Sequence, residues 1–406
     1  MALQQSPNIV TNGLVFAYDM LNTKKSWKGA PVTNSFNCPN PYDANNNVGF
    51  IINGTGTFQR VYSGTYGGYT ITSEDVVYRY NLGAGGCHYH GNSAAIGAGQ
   101  YVCYSVDYYV SPDASDYLTE GSLIVLENYG GSALGGGTGV SSDVTTKGKW
   151  QTIQGYSGPT GGSGTQAMFL YPGGCGGAGS YTASRGFILM KNPMFEFRSD
   201  VKYNRFVNGT RSNTESIKDL TGKNTITVNN LTYSSDGTFS FNGSSSWLEM
   251  PTSSIFDTQA LTMECWCYPS TTNQRGFLFE KGQVNTQYSN FFEDVNFVFR
   301  TMGLSTQDLT FASGSYITAN RWNHIVCTYG SGTKIVYVNG VAIAQQTGLT
   351  GSIPTGQTNQ YVGKYGSASN QYPFSGSIAV SKVYNRALTA AEVLQNFNAI
   401  RGRYGI

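Results

Sequence analysis

The sequence predicts an all-β protein built of antiparallel sandwiches, and three observations carry that reading. Glycine takes 52 of 406 positions, and such a density suits many tight turns, where the absent Cβ allows positive φ. Tyrosine and phenylalanine are abundant, at 29 and 21, and aromatic residues favour the pleated, half-buried surface of a strand. Ser, Thr, Asn and Val accompany them, whereas the strong helix formers Ala, Leu, Glu and Lys are sparse. Length allows about two or three domains.

The same composition excludes whole classes of function. Charged residues make up 12% of the chain and the net charge is +2, with no long basic run, so a protein devoted to neutralising nucleic-acid phosphates is not expected. No stretch approaches the roughly 18 apolar residues of a membrane span. Met1-Ala2-Leu3-Gln4-Gln5-Ser6-Pro7 lacks the charged head and apolar core of a signal peptide. A soluble protein that folds in the cytoplasm where it is made is the expectation. Cys38, Cys87, Cys103, Cys175, Cys265, Cys267 and Cys327 form an odd set without repeated spacing, so reduced thiols are expected rather than a disulfide framework.

Taken in chain order, Thr11 to Asp19 opens with an apolar run that reads as a strand. Tyr101–Val110 alternates so that Val102, Tyr104, Val106, Tyr108 and Val110 share one face, and Tyr101, Cys103, Ser105, Asp107 and Tyr109 the other. Lys147 to Ile153 and Arg185 to Glu196 follow as further strands. Leu261 to Tyr268 alternates as a half-buried strand, placing Cys265 and Cys267 on one face as small packing residues. Arg321 to Tyr329 reads the same way. Lys334 to Val338, Asn339-Gly340 and Val341 to Ala344 form a hairpin, because Asn-Gly supplies the two positive-φ residues of a type I′ turn. A single helix is predicted near the end: Thr389 caps it, Glu392 completes a capping box, and Val393, Leu394 and Phe397 fall on one face.

The order Phe241-Asn242-Gly243, Trp247 to Met250, Leu261 to Tyr268, Phe277 to Gly282, Trp322-Asn323-His324, Tyr337 to Gly340, Phe374 to Ile378 and Tyr384 to Thr389 resembles the concanavalin A-like, laminin G-type jelly roll. The resemblance covers roughly residues 215–400 and implies a two-sheet sandwich used mainly to bind sugars or proteins. The series from Tyr101 through Gly148-Lys149-Trp150 to Asn192-Pro193-Met194-Phe195-Glu196 resembles a carbohydrate-binding-module type of jelly roll. Two antiparallel jelly-roll sandwiches with a short C-terminal helix are therefore expected, over 35–200 and 201–406. Residues 1–34 are expected to add a strand to the C-terminal sandwich. The opening strand resembles the one that, in laminin G-like phage proteins, directly precedes a segment like Asp219-Leu220-Thr221-Gly222-Lys223-Asn224, which here comes about two hundred residues later. With the Phe206 to Ser212 junction, the combination resembles decorating and fibre proteins of tailed-bacteriophage virions. That implies a capsid decoration or tail-fibre component on the virion surface, partnered by other virion proteins. It also implies a homo-oligomer, with a trimer natural at a fibre or decoration site.

Catalysis finds little support in the residues. Glycosidases need two carboxylates flanking the sugar bond, but Glu249 and Glu264 are isolated, and Glu293 and Asp294 are adjacent and so point to opposite strand faces. A non-enzyme is expected, with a polysaccharide-degrading enzyme using Glu127, Glu264 or Glu293 as the weaker alternative. Cys87-His88-Tyr89-His90 gathers metal-ligand side chains, yet no second cluster completes a zinc set, and packed or surface residues in a Gly-rich turn are the plainer reading. His324 reads as a core histidine. The Gly-rich runs at 130–137 and 158–179 lack a Gly-Lys-Ser/Thr ending, so a phosphate loop is not formed and long surface loops explain them.

Sugar binding is the sharper expectation for the middle sandwich. Tyr62, Tyr66, Tyr69, Tyr101, Tyr109 and Tyr129 supply flat rings for pyranose faces, and Asp107 and Glu127 accept from hydroxyls. The plainer alternative is that these tyrosines simply suit half-buried strands. Calcium, bound by many relatives of both folds, would need several loop oxygens. Asp113, Asp116 and Asp236 are candidate donors, but Ser244-Ser245-Ser246 replaces the acidic loop common in the laminin G-like family. A structural cement protein that binds no glycan is the alternative to adhesion.

Overall fold

The computed structural model describes residues 8–35, 50–52, 57–81, 88–114, 122–128, 138–141, 145–170, 186–233, 239–282, 286–356, 358–366 and 371–406. Among these the secondary structure is antiparallel β-sheet with one α-helix, Ala390–Ile400, near the C-terminus. The chain divides into two compact units, one formed by residues 1–31 and 212–406 and the other by 32–211.

The first unit is a sandwich of an eight-stranded and a seven-stranded sheet. In the eight-stranded sheet, Ser375–Tyr384 is the organising strand. One of its edges pairs with Leu261–Pro269. The other is shared by Phe239–Asn242 and by the opening strand Leu14–Asp19, in which Phe16 faces Val383 and Asp19 faces Val380. The seven-stranded sheet includes Trp247–Met250, Gln360–Val362, Gln274–Lys281, Tyr288–Asp294 and Asn296–Thr301. Alternation sends Phe16, Met263, Cys265, Cys267, Phe279, Phe292, Phe297 and Phe299 into the shared core. Cys265, Cys267 and Cys327 are free and buried there, which is how small apolar side chains behave.

The Asp219 carboxylate stitches the opening strand to residues two hundred positions away. It accepts from the Ala17 amide at 3.0 Å, from Thr221 Oγ1 at 2.6 Å and from Asn224 Nδ2 at 2.7 Å, while Leu220 N donates to Ala17 O at 2.7 Å. On the outer face of the eight-stranded sheet lies the helix. The Thr389 and Glu392 capping box fixes its start, and Val393, Asn396, Phe397 and Ile400 form its buried face. Leu394, expected to share that face, is 46% exposed, because a position one residue past Val393 turns about 100° away from the sheet.

The second unit packs two five-stranded sheets. One runs Trp150–Ser157, Tyr101–Val110, Phe187–Arg198, Val77–Asn81, Thr57–Val61. The other runs Thr138–Ser141, Ser122–Asn128, Gly164–Leu170, His88–Ile96, Phe50–Ile52. Val102, Tyr104, Val106, Tyr108 and Val110 all enter the core, as period-two alternation requires. Gly155 stands opposite Tyr104, and any Cβ there would overlap the Tyr104 phenol. Glycine at that rung is what lets the ring lie flat within the sandwich.

Candidate functional site

The outward row of the central strand Tyr101–Val110 carries Tyr101, Cys103, Ser105, Asp107 and Tyr109, and the strand register decides what stands beside each. Trp150, Thr152 and Gln154 lie opposite Tyr109, Asp107 and Ser105 on one side. Leu189 and Lys191 lie opposite Tyr109 and Asp107 on the other. The result is a face with three zones.

At one end the face is closed by a hairpin. Thr65–Tyr66 pairs with Tyr69–Thr70 through Gly67 and Gly68, both at positive φ, the backbone a two-residue type I′ turn needs. Tyr66 meets Tyr109 edge-on at 6.1 Å and Phe187 at 5.8 Å, and Trp150 Nε1 donates to Tyr66 O at 2.8 Å. Tyr109, 5% exposed, packs with Ile71, Val77 and Leu189. Its ring holds the hairpin down and offers no face to a ligand, because the hairpin covers the row that alternation alone leaves outward. The hairpin is tied at its base by Asp75, which accepts from Tyr69 Oη at 2.7 Å, Thr72 N at 2.8 Å and Asn192 Nδ2 at 3.0 Å. Burial by itself would raise the Asp75 pKa, but these donors hold it below its ordinary value. Burial and the Asp75 charge push the Tyr69 hydroxyl up to about 12.

The middle zone is polar. Lys191 lies 3.3 Å from the Asp107 carboxylate, with its ammonium 3.7 Å from the Tyr69 ring centre and 5.0 Å from that of Trp150. Thr152 Oγ1 donates to Asp107 Oδ1 at 2.6 Å. Thr152 and Gln154 are exposed, and Asp107 and Ser105 half-buried. Beyond them Tyr156, 54% exposed, meets Tyr101 edge-on at 6.0 Å. At the far end Cys103 and Glu196 are covered. Asp200 O approaches Cys103 Sγ at 3.8 Å, and Asn204 donates twice to Glu196. The open strip runs along the neighbouring strand from Thr152 through Gln154 to Tyr156, about 13 Å, longer than a single sugar ring.

Of the residues singled out from the sequence, Tyr66, Tyr69, Tyr101, Asp107 and Tyr109 thus share this face. Tyr62 is 67% exposed, just past the end of the edge strand Thr57–Val61, with the Arg60 guanidinium 5.6 Å from its ring centre. Glu127 belongs to Ser122–Asn128 in the opposite sheet, and Tyr129 lies outside the described residues. Trp150, Thr152, Gln154, Tyr156 and Lys191 were not singled out. The alternation of Trp150-Gln151-Thr152-Ile153-Gln154-Gly155-Tyr156, with only Ile153 large and apolar on the inward row, is the signal that finds them.

The carboxylates of the first unit are committed elsewhere. Glu264, fully buried, takes Lys382 Nζ at 2.7 Å, Asn396 Nδ2 at 2.6 Å and His324 Nε2 at 3.2 Å. Burial would raise its pKa, but the Lys382 charge and the His324 bond win and hold it down at about 2. Burial lowers the His324 pKa, so the ring is neutral. Glu293 pairs with Arg275 at 3.0 Å, and Glu249 takes Asn359 Nδ2 at 2.6 Å. Glu280 shares the outer face of the seven-stranded sheet with Glu249, on the other side of Tyr361. It is only 2% exposed and accepts the Gly366 amide, and burial pushes its pKa up to about 8. Its acid form is favoured in the folded state, so stability falls as pH rises from the ordinary value near 4.3 through about 8. Glu280→Gln should flatten that slope: urea midpoints of variant and wild type should diverge, in favour of the variant, between pH 5 and pH 8. Parallel pH profiles would refute the assignment.

Among the described residues no three His, Cys, Asp or Glu side chains stand close enough to hold an ion. Asp116, Asp236 and Cys87 lie outside those residues, and His88 and His90 begin the strand His88–Ile96. At Ser244-Ser245-Ser246 the turn is closed internally, Asn242 Oδ1 accepting the Ser244 and Ser245 amides at 2.9 and 2.8 Å. Among the described residues, no helix is long and apolar enough to cross a membrane.

Among solved structures, the chain is similar to the binding domain of botulinum neurotoxin DC in complex with SialylT, at 14% identity, covering 47% of this chain and 50% of that one, with a TM-score of 0.37. The same domain in complex with rat synaptotagmin II gives 15%, 47%, 50% and 0.36. The receptor-binding domain of a C/D mosaic serotype gives 11%, 46%, 49% and 0.37. The chain spans about half the length of these structures. No curated protein matches it. Residues 241–394 match the family model of the concanavalin A-like lectin/glucanases superfamily, and with the paired antiparallel sheets described above this gives the C-terminal sandwich a jelly-roll, lectin-like fold.

Proposed function

We propose that this protein is a non-enzymatic adhesion protein of a tailed-phage virion surface, a capsid decoration or tail-fibre component that binds glycans through the outer sheet face of its second unit. The observation that carries the glycan reading is the strip of exposed Thr152 and Gln154 and half-buried Ser105 and Asp107 running to the exposed Tyr156 and the half-buried Tyr101 beside it. Side-chain amides, hydroxyls and a carboxylate read sugar hydroxyls, and the two rings supply apolar contact for a pyranose face. Such a shallow strip binds weakly in one copy. Many copies on one particle, as a homo-oligomer held by virion neighbours, turn weak contacts into firm attachment. The virion setting rests on the resemblance of the opening strand, the Phe206 to Ser212 junction and the Asp219 to Asn224 segment to phage proteins.

A glycan array probed with the intact protein tests the reading. Binding to a subset of oligosaccharides is expected, and Tyr156→Ala should weaken it about tenfold with the fold intact, since Tyr156 is exposed. Absence of binding across the array, alongside a broad contact with capsid or tail subunits, would favour a cement role instead. Release of reducing ends from a polysaccharide, abolished when Glu127, Glu264 or Glu293 is changed to Gln, would overturn the non-enzymatic reading.

A further inference from the structure

The first unit carries a cleft of about 480 Å³ that lies outside the strip just described. Three aromatic side chains form one wall. Tyr268 comes from Leu261–Pro269, Trp322 directly precedes Asn323–Gly330, and Tyr404 follows the helix. Trp322 meets Tyr268 edge-on at 5.5 Å and Tyr404 at 4.7 Å, and Tyr404 is stacked on the buried Trp266 at 4.5 Å. The loop carrying Arg321 is fixed from below. Asn323, 2% exposed, bonds Thr318 N, Thr318 O and Arg321 O at 2.8–3.0 Å, and the Asn320 amide donates to Pro269 O at 2.8 Å.

The polar lining consists mostly of donors. Arg321 is exposed and is the one charged side chain lining the cleft, and among the described residues its guanidinium has no ion-pair partner. Asn339 spends its Oδ1 on the His324 amide at 2.9 Å, which leaves its Nδ2 as a donor. No Asp or Glu side chain lines the cleft. An aromatic wall beside an unpaired guanidinium and amide donors suits a ring that has one apolar face and carries an anion at its edge.

We propose that this cleft is a second binding site, specific for a sugar residue bearing a carboxylate, such as a uronic acid. The ring packs on Trp322 and Tyr268, and the carboxylate lies against Arg321. The site is independent of the strip on the second unit.

The test is titration of the intact protein with trigalacturonate and with its fully methyl-esterified form, followed by Trp fluorescence and by saturation-transfer NMR. The acid is expected to bind roughly tenfold more tightly than the ester, with the preference shrinking as salt is raised. Arg321→Gln, at an exposed position that leaves folding unchanged, should erase the preference. Tyr156→Ala should leave it in place. Equal binding of acid and ester by the wild type, no binding of either, or a preference that survives Arg321→Gln would overturn the proposal. A preference lost in Tyr156→Ala but kept in Arg321→Gln would also overturn it and would assign the acid to the strip.

Discussion

Replacing Lys382 by Met is expected to destabilise the C-terminal sandwich by about 3–5 kcal/mol, read as a drop in its urea midpoint. Lys382 is 3% exposed and its ammonium lies 2.7 Å from Glu264, itself fully enclosed between sheet and helix. With the cation gone, Glu264 keeps only Asn396 and the neutral His324 as partners, and an ionised carboxylate is left unbalanced in a dry site. The paired change Glu264→Gln/Lys382→Met should recover most of the loss, since replacing both members removes the unpaired charge. Acid should act on the same network. The pKa of Glu264 is held down and that of His324 is lowered, so both groups bind protons more readily when unfolded. Their stabilisation is complete above the ordinary histidine value near 6.5. It declines first through His324 and then, below about 4.3, through Glu264. A Lys382→Met variant as stable as the wild type would show that the ion pair contributes nothing to holding the helix on the sheet.

Phe16→Ala should cost a similar amount, about 3–5 kcal/mol. Phe16 has no exposure and stands within ring contact of Tyr18 and Phe256, both at 6.1 Å, and of Phe279 at 6.3 Å. Its neighbours come from both sheets, so the cavity cannot close without separating them. The comparison that isolates the effect is Leu21→Ala, just beyond the strand and 39% exposed, where a change within about 0.5 kcal/mol is expected. A loss below about 1 kcal/mol for Phe16→Ala would mean that the opening strand is peripheral to this core.

What was legible in the sequence is what has a local cause. Period-two alternation in Tyr101–Val110 placed five residues in the core, Asn339-Gly340 marked its hairpin with both residues at positive φ, and Thr389 with Glu392 marked the helix start. The composition of the candidate face was not legible, because it depends on register between strands about forty-five and eighty-five residues apart. Nothing near Asp107 says that Thr152 and Lys191 stand on either side of it. Burial of Tyr109 was hidden for a related reason. Alternation points the ring outward, and a hairpin some forty residues upstream then folds across it. The cleft around Trp322 is assembled from four separate segments, each unremarkable alone.

The measurement that tests glycan recognition by the outer sheet face most directly is calorimetric titration of the strongest array oligosaccharide into the wild type and into Gln154→Ala/Tyr156→Ala. Both positions are exposed, so the variant should keep the wild-type melting temperature while its affinity falls by at least about tenfold. An unchanged affinity in the folded variant would contradict binding at this face.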